Sequence, residues 1–426
     1  MDGTGADGVR LLIVTAGSRG DVAPYTGLGV RLRAAGHQVA IAAQSSFADL
    51  VGGCGLEFRA LPGDLRTLQA DSAARRLRRS GPGLRGAGEF VRIGRRFVDQ
   101  IGAGLLAAAE PGVDALLLST TTAPLGYSVA ELHGVPSLGV FLQPVQPTAD
   151  FPPMMLGTRT LGARLNRAAG HLGQAVGRQV YATASRRLRE RANLPPVGLR
   201  ELARRSAADR WPVLHGFSPA VVPRPADWPA ELRVVGYWWP DPATPWRPPP
   251  ELVDFLAAGP PPVYVGFGSM VSERDRLADL VTLALRRAGL RGVLQAGWAG
   301  LSGVHAENDD LITIGEAPHD WIFPRMAAVV HHAGGGTTAA GLRAGVPAVA
   351  VPMLADQPFW AGRLAALGAA PAPVPPRRLT AARLADALRA AVHDPAYGRR
   401  AKALAAELAD EDGAGAVLRA VERLAG

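Results

Sequence analysis

The 426-residue sequence contains one cysteine, Cys54, and one lysine, Lys402. A single cysteine excludes an intramolecular disulfide framework and fits a reducing compartment. Its expected role is that of a small buried apolar side chain. No run of about 18 residues is apolar without charges or helix breakers, so no membrane-spanning helix is expected. Residues 1–9, MDGTGADGV, carry neither a basic segment nor an apolar run, so no secretory leader is expected and the chain reads as cytoplasmic.

Several chemical signatures are missing too. No Lys-Ser/Thr follows the one glycine triplet, which excludes a P-loop. The first strand-to-helix loop, AGSRGDV, spaces its glycines three apart and no acid ends the next strand, so the dinucleotide fingerprint is absent. GFGSM lacks the second glycine of a nucleophile elbow, since none sits two beyond Ser269. No Cys/His cluster suggests zinc, and the acids 410–412 read as a solvated helix end, so no metal site is expected.

The formal charge of +9 comes from 46 basic residues against 37 acidic ones. Arginine used almost to the exclusion of lysine is what GC-rich coding produces, so the charge makes no case for nucleic acid. A local run, Arg75, Arg76, Arg78 and Arg79 followed by Arg85, Arg92, Arg95 and Arg96, reads either as a solvated helix face or as a contact with membrane or substrate.

What the chain does have is core: 48% hydrophobic residues, with 51 glycines and 36 prolines for tight connections. RLLIVT is apolar without alternation, as a parallel strand buried on both faces must be. A loop, a helix closed by Gly36 and the strand QVAIAA complete a βαβ unit. DALLLST and PSLGVFLQP continue the rhythm. Residues 223–262 are proline-rich and read as a semi-rigid linker. After them PVYVGFGS, GVLQAG, LITIGE, AAVVHH and PAVAVP alternate with helical segments, and two more helices, TAARLADALRAAV and roughly 397–423, close the chain. The expected fold is α/β, with doubly wound Rossmann-like domains over 1–222 and 263–426 and ligands at the carboxyl ends of strands.

The most informative stretch is HHAGGGTTAAGLRAGVPAVAVPMLADQPFW, residues 331–360. A strand ends at the histidines and a helix begins after them, so Gly334, Gly335, Gly336, Thr337 and Thr338 occupy a helix N-terminus. Bare backbone there lets phosphate oxygens reach N–H groups, and the helix dipole favours their charge. The histidine can donate a further hydrogen bond and help neutralise a diphosphate. A tight turn with Thr337 as N-cap is the structural alternative. Asp356 and Gln357 supply paired hydrogen-bond donors and acceptors, or else cap the helix ahead of Pro358.

The segments GSRGDVAPY, VYVGFGSM, EAPHDWIFPRMAAVVHHAGGGTTAAGLRAGVP and PMLADQPFW together resemble the family-one glycosyltransferases of the two-Rossmann, GT-B fold. The likeness is greatest to sterol glucosyltransferases and to bacterial glycosyltransferases of glycopeptide and macrolide biosynthesis. It covers nearly the whole chain, most specifically the C-terminal block. The resemblance implies two domains facing across a cleft, an acceptor domain first and a nucleotide-sugar domain second, with terminal helices that can pack back on the first. It implies that His332 contacts the donor diphosphate together with Ser269, Gly335, Gly336, Thr337 and Thr338. Asp356 and Gln357 would grip the sugar, Ala317 would touch uracil, and Asp21 would be the catalytic base. Two positions depart from plant members: Glu316 stands where they stack a tryptophan on uracil, and Ala340 where they hold ribose with a glutamate. Trp321 is the aromatic on hand, as a uracil platform or as simple packing.

The implied activity is inverting transfer of a hexose, from UDP-glucose or another UDP- or TDP-sugar, to a hydroxyl of a lipophilic acceptor such as a sterol or polyketide, with no cofactor or metal. A sugar-nucleotide epimerase of the same architecture and an inactive helper that binds a partner enzyme are the alternatives. The segment QPTADFPPMMLG, residues 146–157, speaks for an acceptor site, since methionine and aromatic side chains adapt to apolar ligands.

Overall fold

The computed structural model describes residues 8–63, 84–110, 112–241, 246–268, 274–296, 305–353 and 355–425. Two sheets organise them. The first takes β1 (Arg10–Val14), β2 (Gln38–Gln44), β3 (Glu57–Leu61), β4 (Ala115–Leu118), β5 (Ser137–Phe141), β6 (Val213–His215) and β7 (Leu232–Val234) in the order β3-β2-β1-β4-β5-β6-β7. All its pairs are parallel. The apolar run of β1 is buried in four of its five residues, as expected of a strand covered on both faces. Helices α1 (Arg19–Ala34), α2 (Ala48–Gly52), α3 (Leu84–Ala109), α4 (Ala123–His133), α5 (Ala163–Arg191) and α6 (Leu199–Ala208) provide the crossovers and cover.

The second unit begins with α7 (Pro250–Ala257). Its sheet takes β8 (Val263–Gly266), β9 (Gly292–Gln295), β10 (His305–Asn308), β11 (Leu311–Ile314), β12 (Ala328–His331) and β13 (Ala348–Ala350) in the order β10-β11-β9-β8-β12-β13. Only the edge strand β10 is antiparallel, to β11. The helices are α8 (Arg274–Ala288), α9 (His319–Ile322), α10 (Gly335–Arg343), α11 (Gln357–Ala366), α12 (Ala381–His393), α13 (Pro395–Ala409) and α14 (Gly413–Ala425). The expected α/β architecture of two Rossmann-like domains is the one observed.

The boundaries of the linker differ from expectation. Residues 223–262 contribute β7 to the first sheet and α7 to the second unit. Proline is compatible with both, because β7 is an edge strand and Pro250 occupies the first turn of α7. The connection proper is therefore confined to 235–249. The terminal helix packs back as expected: Ala416, Val417, Ala420 and Val421 of α14 join the core formed by Leu11, Ile13, Val22 and Leu28.

The two units also touch through α11. Phe359 packs on Phe151 with ring centroids 5.2 Å apart, and Arg363 Nε donates to the Val221 carbonyl at 2.8 Å. Arg75, Arg76, Arg78 and Arg79 lie outside the described residues. Arg95, farther along that run, donates to the Gln179 carbonyl and so ties α3 to α5. Among the described residues no helix is long and apolar enough to cross a membrane.

Candidate active site

Strand β12 is buried throughout and delivers the chain to the cleft at His331. His331 itself is fully buried, and burial pushes its pKa down to about 3. The neutral ring uses Nδ1 to accept the Ala333 N–H at 3.0 Å. Ala333 has φ +60°, a left-handed conformation that alanine adopts at a cost of about 1–2 kcal/mol. The neighbouring His332 lies in a slot that glycine keeps open. A Cβ on Gly334 would come within 2.6 Å of His332 Nε2, and one on Gly268 within 3.3 Å of its Cε1.

Burial lowers His332 to about 4, and its Nδ1 has no partner among the described residues. Without a ligand the ring is therefore a neutral, hydrogen-bonding imidazole at neutral pH. The helix that follows offers further donors for negative charge. The N-cap of α10 is Gly334, with no side-chain cap. Thr337 is thus not the N-cap, and the N–H groups of the first turn, at Gly335, Gly336 and Thr337, lack intrahelical acceptors. Thr338 is 1% exposed and its Oγ1 is buried without a partner among the described residues.

Facing this turn is the N-terminus of α1. A Cβ on Gly336 would lie 4.0 Å from Gly20 Cα, so the two backbones nearly meet across the cleft. Asp21 sits in the first turn of α1 with both carboxylate oxygens engaged. Oδ2 accepts from Ser18 N and Ser18 Oγ, each at 2.8 Å, and Oδ1 accepts from Gln143 Nε2 at 3.0 Å. Thr120 Oγ1 donates to Gln143 Oε1 at 2.8 Å, which fixes the amide with its NH₂ toward Asp21. Oδ1, with one donor, retains an acceptor site. Burial raises the Asp21 pKa, opposed by the hydrogen bonds from Ser18 and Gln143. Asp21 therefore does cap α1, through Oδ2, while Oδ1 stays available for chemistry.

Asp356 is the N-cap of α11, yet its carboxylate does not cap: Oδ2 accepts the Trp360 indole N–H at 2.7 Å. Burial pushes its pKa up to about 6, helped by the charge of Asp21. The preceding Ala355 has φ +58°. Strained non-glycine residues thus stand beside both His332 and Asp356, and such strain persists where surrounding structure enforces it, most often at functional sites. Trp360 joins the two loops, because a Cβ on Gly335 would sit 3.2 Å from its Nε1. Gln357 is placed differently from an open sugar-reading pair. It is buried, and its Oε1 accepts the Met353 N–H at 2.7 Å, holding the loop from within.

Of the nucleoside candidates, Ala317 is half-buried beneath Ile322 and Phe323 in one apolar cluster. Trp321 packs edge-on against Trp246 at 5.0 Å and carries the Arg325 guanidinium 4.2 Å over its ring. Ser269 lies outside the described residues. Glu316 reaches across the cleft to Arg19 at 3.4 Å, an exposed pair that adds little stability. A cavity of about 220 Å³ opens beside the sugar loop, between Asp150, Phe151 and Thr158 of the first domain and Phe359 and Arg363 of the second. The segment expected to hold an acceptor thus lines a cavity at the domain boundary. None of the diphosphate candidates borders it. Among the described residues no group of three or more His, Cys, Asp or Glu side chains could hold a metal.

The assembly can bind an anion at one helix N-terminus and present a carboxylate from another helix N-terminus opposite it. Sequence reasoning missed Gln143, Thr120 and Trp360. Gln143 stands in the quoted segment FLQP, but its pairing with Asp21 spans 122 residues and leaves no local signal.

Comparison with known proteins identifies the family. Residues 11–148 match the glycosyltransferase family 28 N-terminal domain, and residues 299–424 the erythromycin biosynthesis protein CIII-like C-terminal domain. The chain is 38% identical over 413 residues to the O-mycaminosyltylonolide 6-deoxyallosyltransferase of Streptomyces fradiae, with 95% of each covered. It is 34% identical over 421 residues to the sterol 3-beta-glucosyltransferase UGT80A2 of Arabidopsis thaliana, covering 96% of this chain and 64% of that one. The solved glycotransferase of kitacinnamycin superposes with a TM-score of 0.70 at 23% identity, over 98% of this chain and 99% of that one, and supports the fold alone. The Streptomyces sp. SF2575 glycosyltransferase SsfS6, solved with thymidine diphosphate, has a TM-score of 0.63 at 23% identity over 97% and 99%.

Proposed function

This chain belongs to the sugar-nucleotide-dependent glycosyltransferases of the two-Rossmann fold, and on that premise we propose that it transfers a hexose with inversion to a hydroxyl of a lipophilic acceptor. The observation that carries this reading is the opposition of Asp21 to the uncapped N-terminus of α10, with Gly20 and Gly336 almost in contact. A donor diphosphate on that N-terminus leaves its anomeric carbon on the side of the cleft that holds Asp21. Asp21 Oδ1 takes the acceptor proton, the acceptor oxygen attacks the anomeric carbon, and the bond to the diphosphate breaks on the opposite face. An alcohol is a weak nucleophile until its proton is taken, and a carboxylate raised in pKa is the stronger base for it. The open N–H groups of α10 and the His332 imidazole stabilise the charge growing on the leaving diphosphate, with no metal required.

The donor on this reading is UDP-glucose. A thymidine diphosphate deoxyhexose is the second choice, favoured by the deoxysugar named for the Streptomyces fradiae relative and the thymidine diphosphate bound to SsfS6. Asp356 reads sugar hydroxyls from a position fixed by Trp360, and Gln357 supports the loop. Incubation with UDP-glucose and TDP-sugars against sterol and macrolide acceptors, followed by mass spectrometry, tests the reading. A glycoside supports it. An epimerised nucleotide sugar with no glycoside would replace it with an epimerase.

A further inference from the structure

Among the described residues, the most exposed large apolar side chains gather on one surface. Leu165 and Leu172 of α5 are 62% and 66% exposed, and Met155 and Leu156, just before that helix, are 59% and 58% exposed. Leu165, Leu172 and the exposed Val176 recur at i, i+7 and i+11, so they form one stripe along the outer face of α5. The two groups are close in the fold, since a Cβ on Gly173, next to Leu172, would lie 4.0 Å from Cγ of Pro153, next to Met154. The patch also borders the cleft: a Cβ on Gly157 would be 3.7 Å from Pro358, in the first turn of α11.

Charge follows the same surface. From Phe151 to Arg189 the sequence has no aspartate or glutamate and seven arginines. Arg164, His171 and Arg178 recur at i, i+7 and i+14 and form a second row about a third of a turn round the helix from the stripe. Arg167 is spoken for, since it pairs with Asp227 at 2.7 Å.

We infer that this face of α5, with residues 155–156, docks on an anionic lipid bilayer. An amphipathic helix with leucines on one face and arginines beside them meets both needs at once there, apolar chains for the leucines and headgroup charge for the arginines. A second copy of this chain fits worse, because a symmetric contact would set like charge against like. The inference concerns binding to a surface and does not depend on the transferase reading. If that reading also holds, docking brings the cleft to the phase in which a lipophilic acceptor is concentrated.

The test is sedimentation of the full chain with phosphatidylcholine vesicles, with and without phosphatidylglycerol. Binding is expected only with phosphatidylglycerol and should weaken as salt is raised. Leu165→Ser/Leu172→Ser should reduce partitioning by at least about tenfold, and Arg164→Gln/Arg178→Gln should reduce it as well. Both pairs are on the surface, so melting temperature should be unchanged. No binding to phosphatidylglycerol vesicles, or binding indifferent to both pairs, overturns the inference. Self-association in ultracentrifugation that the leucine pair abolishes would give the face to a second copy and overturn it too.

Discussion

Replacing Asp21 by asparagine separates the two tasks this side chain performs. The amide oxygen can still accept from Ser18 N, so the cap on α1 survives. What is lost there is the charged form of the hydrogen bond and its interaction with the helix dipole, about 0.3–1 kcal/mol. On the other side the asparagine NH₂ would meet the Gln143 NH₂ across 3.0 Å, unless the Gln143 amide turns over against Thr120. One such mismatch costs about 1–3 kcal/mol. A domain stable by about 5–15 kcal/mol stays folded under both penalties. Loss of a general base, in contrast, lowers turnover by about 10²–10⁴-fold. Steady-state kinetics, a thermal melt and calorimetry with the nucleoside diphosphate on the same preparation distinguish these outcomes. A folded variant that binds nucleotide normally and turns over within a few-fold of wild type refutes Asp21 as the base.

Further predictions rest on the same site. His332→Ala should weaken the nucleoside diphosphate by about 10–100-fold, the worth of a hydrogen bond to a charged group, and leave the unphosphorylated nucleoside unaffected in calorimetry. Asp356→Asn keeps an acceptor for the Trp360 indole, so transfer should fall while affinity for the free nucleoside diphosphate holds; equal losses for both would point to a damaged loop instead. Gln143→Leu removes a donor that holds the Asp21 pKa down, so the acid limb of the kcat/KM profile should move to higher pH, and an unmoved limb would dismiss Gln143 as a positioning residue.

Stability should fall on acidification. His215, His319 and His332 are held at about 4 and His331 at about 3, all below the ordinary 6.5, so between these values the unfolded chain binds more protons than the folded one. Stability therefore drops from pH 6.5 toward 4, by up to about 1.4 kcal/mol per pH unit for each histidine. Asp356, raised to about 6, acts with the opposite sign over part of that window and offsets about one histidine. Urea titrations across the range read the slope, and a flat profile contradicts it.

The fold was legible wherever burial leaves a composition signal. β1, β5, β8 and β12 are short apolar runs closed by loop residues, and a strand buried on both faces admits little else. β7 is three residues long at a sheet edge amid prolines, so neither periodicity nor composition marks it. The long helix α5 was obscured because glycine and arginine dilute its pattern and its outer face is apolar. In the site, the glycine triplet between strand and helix announces its purpose locally. For Gln357 sequence gives the donors and acceptors but not their direction, and packing turns Oε1 inward to the Met353 N–H. Trp360 and Gln143 act through contacts made only after folding.

In the proposed reaction the acceptor attacks from the Asp21 side while α10 holds the leaving diphosphate. That geometry has one direct readout, the anomeric configuration of the glycoside, by proton NMR of the product from an α-linked nucleotide sugar. A β-linked product is predicted. An α-linked product would contradict the in-line arrangement across the cleft.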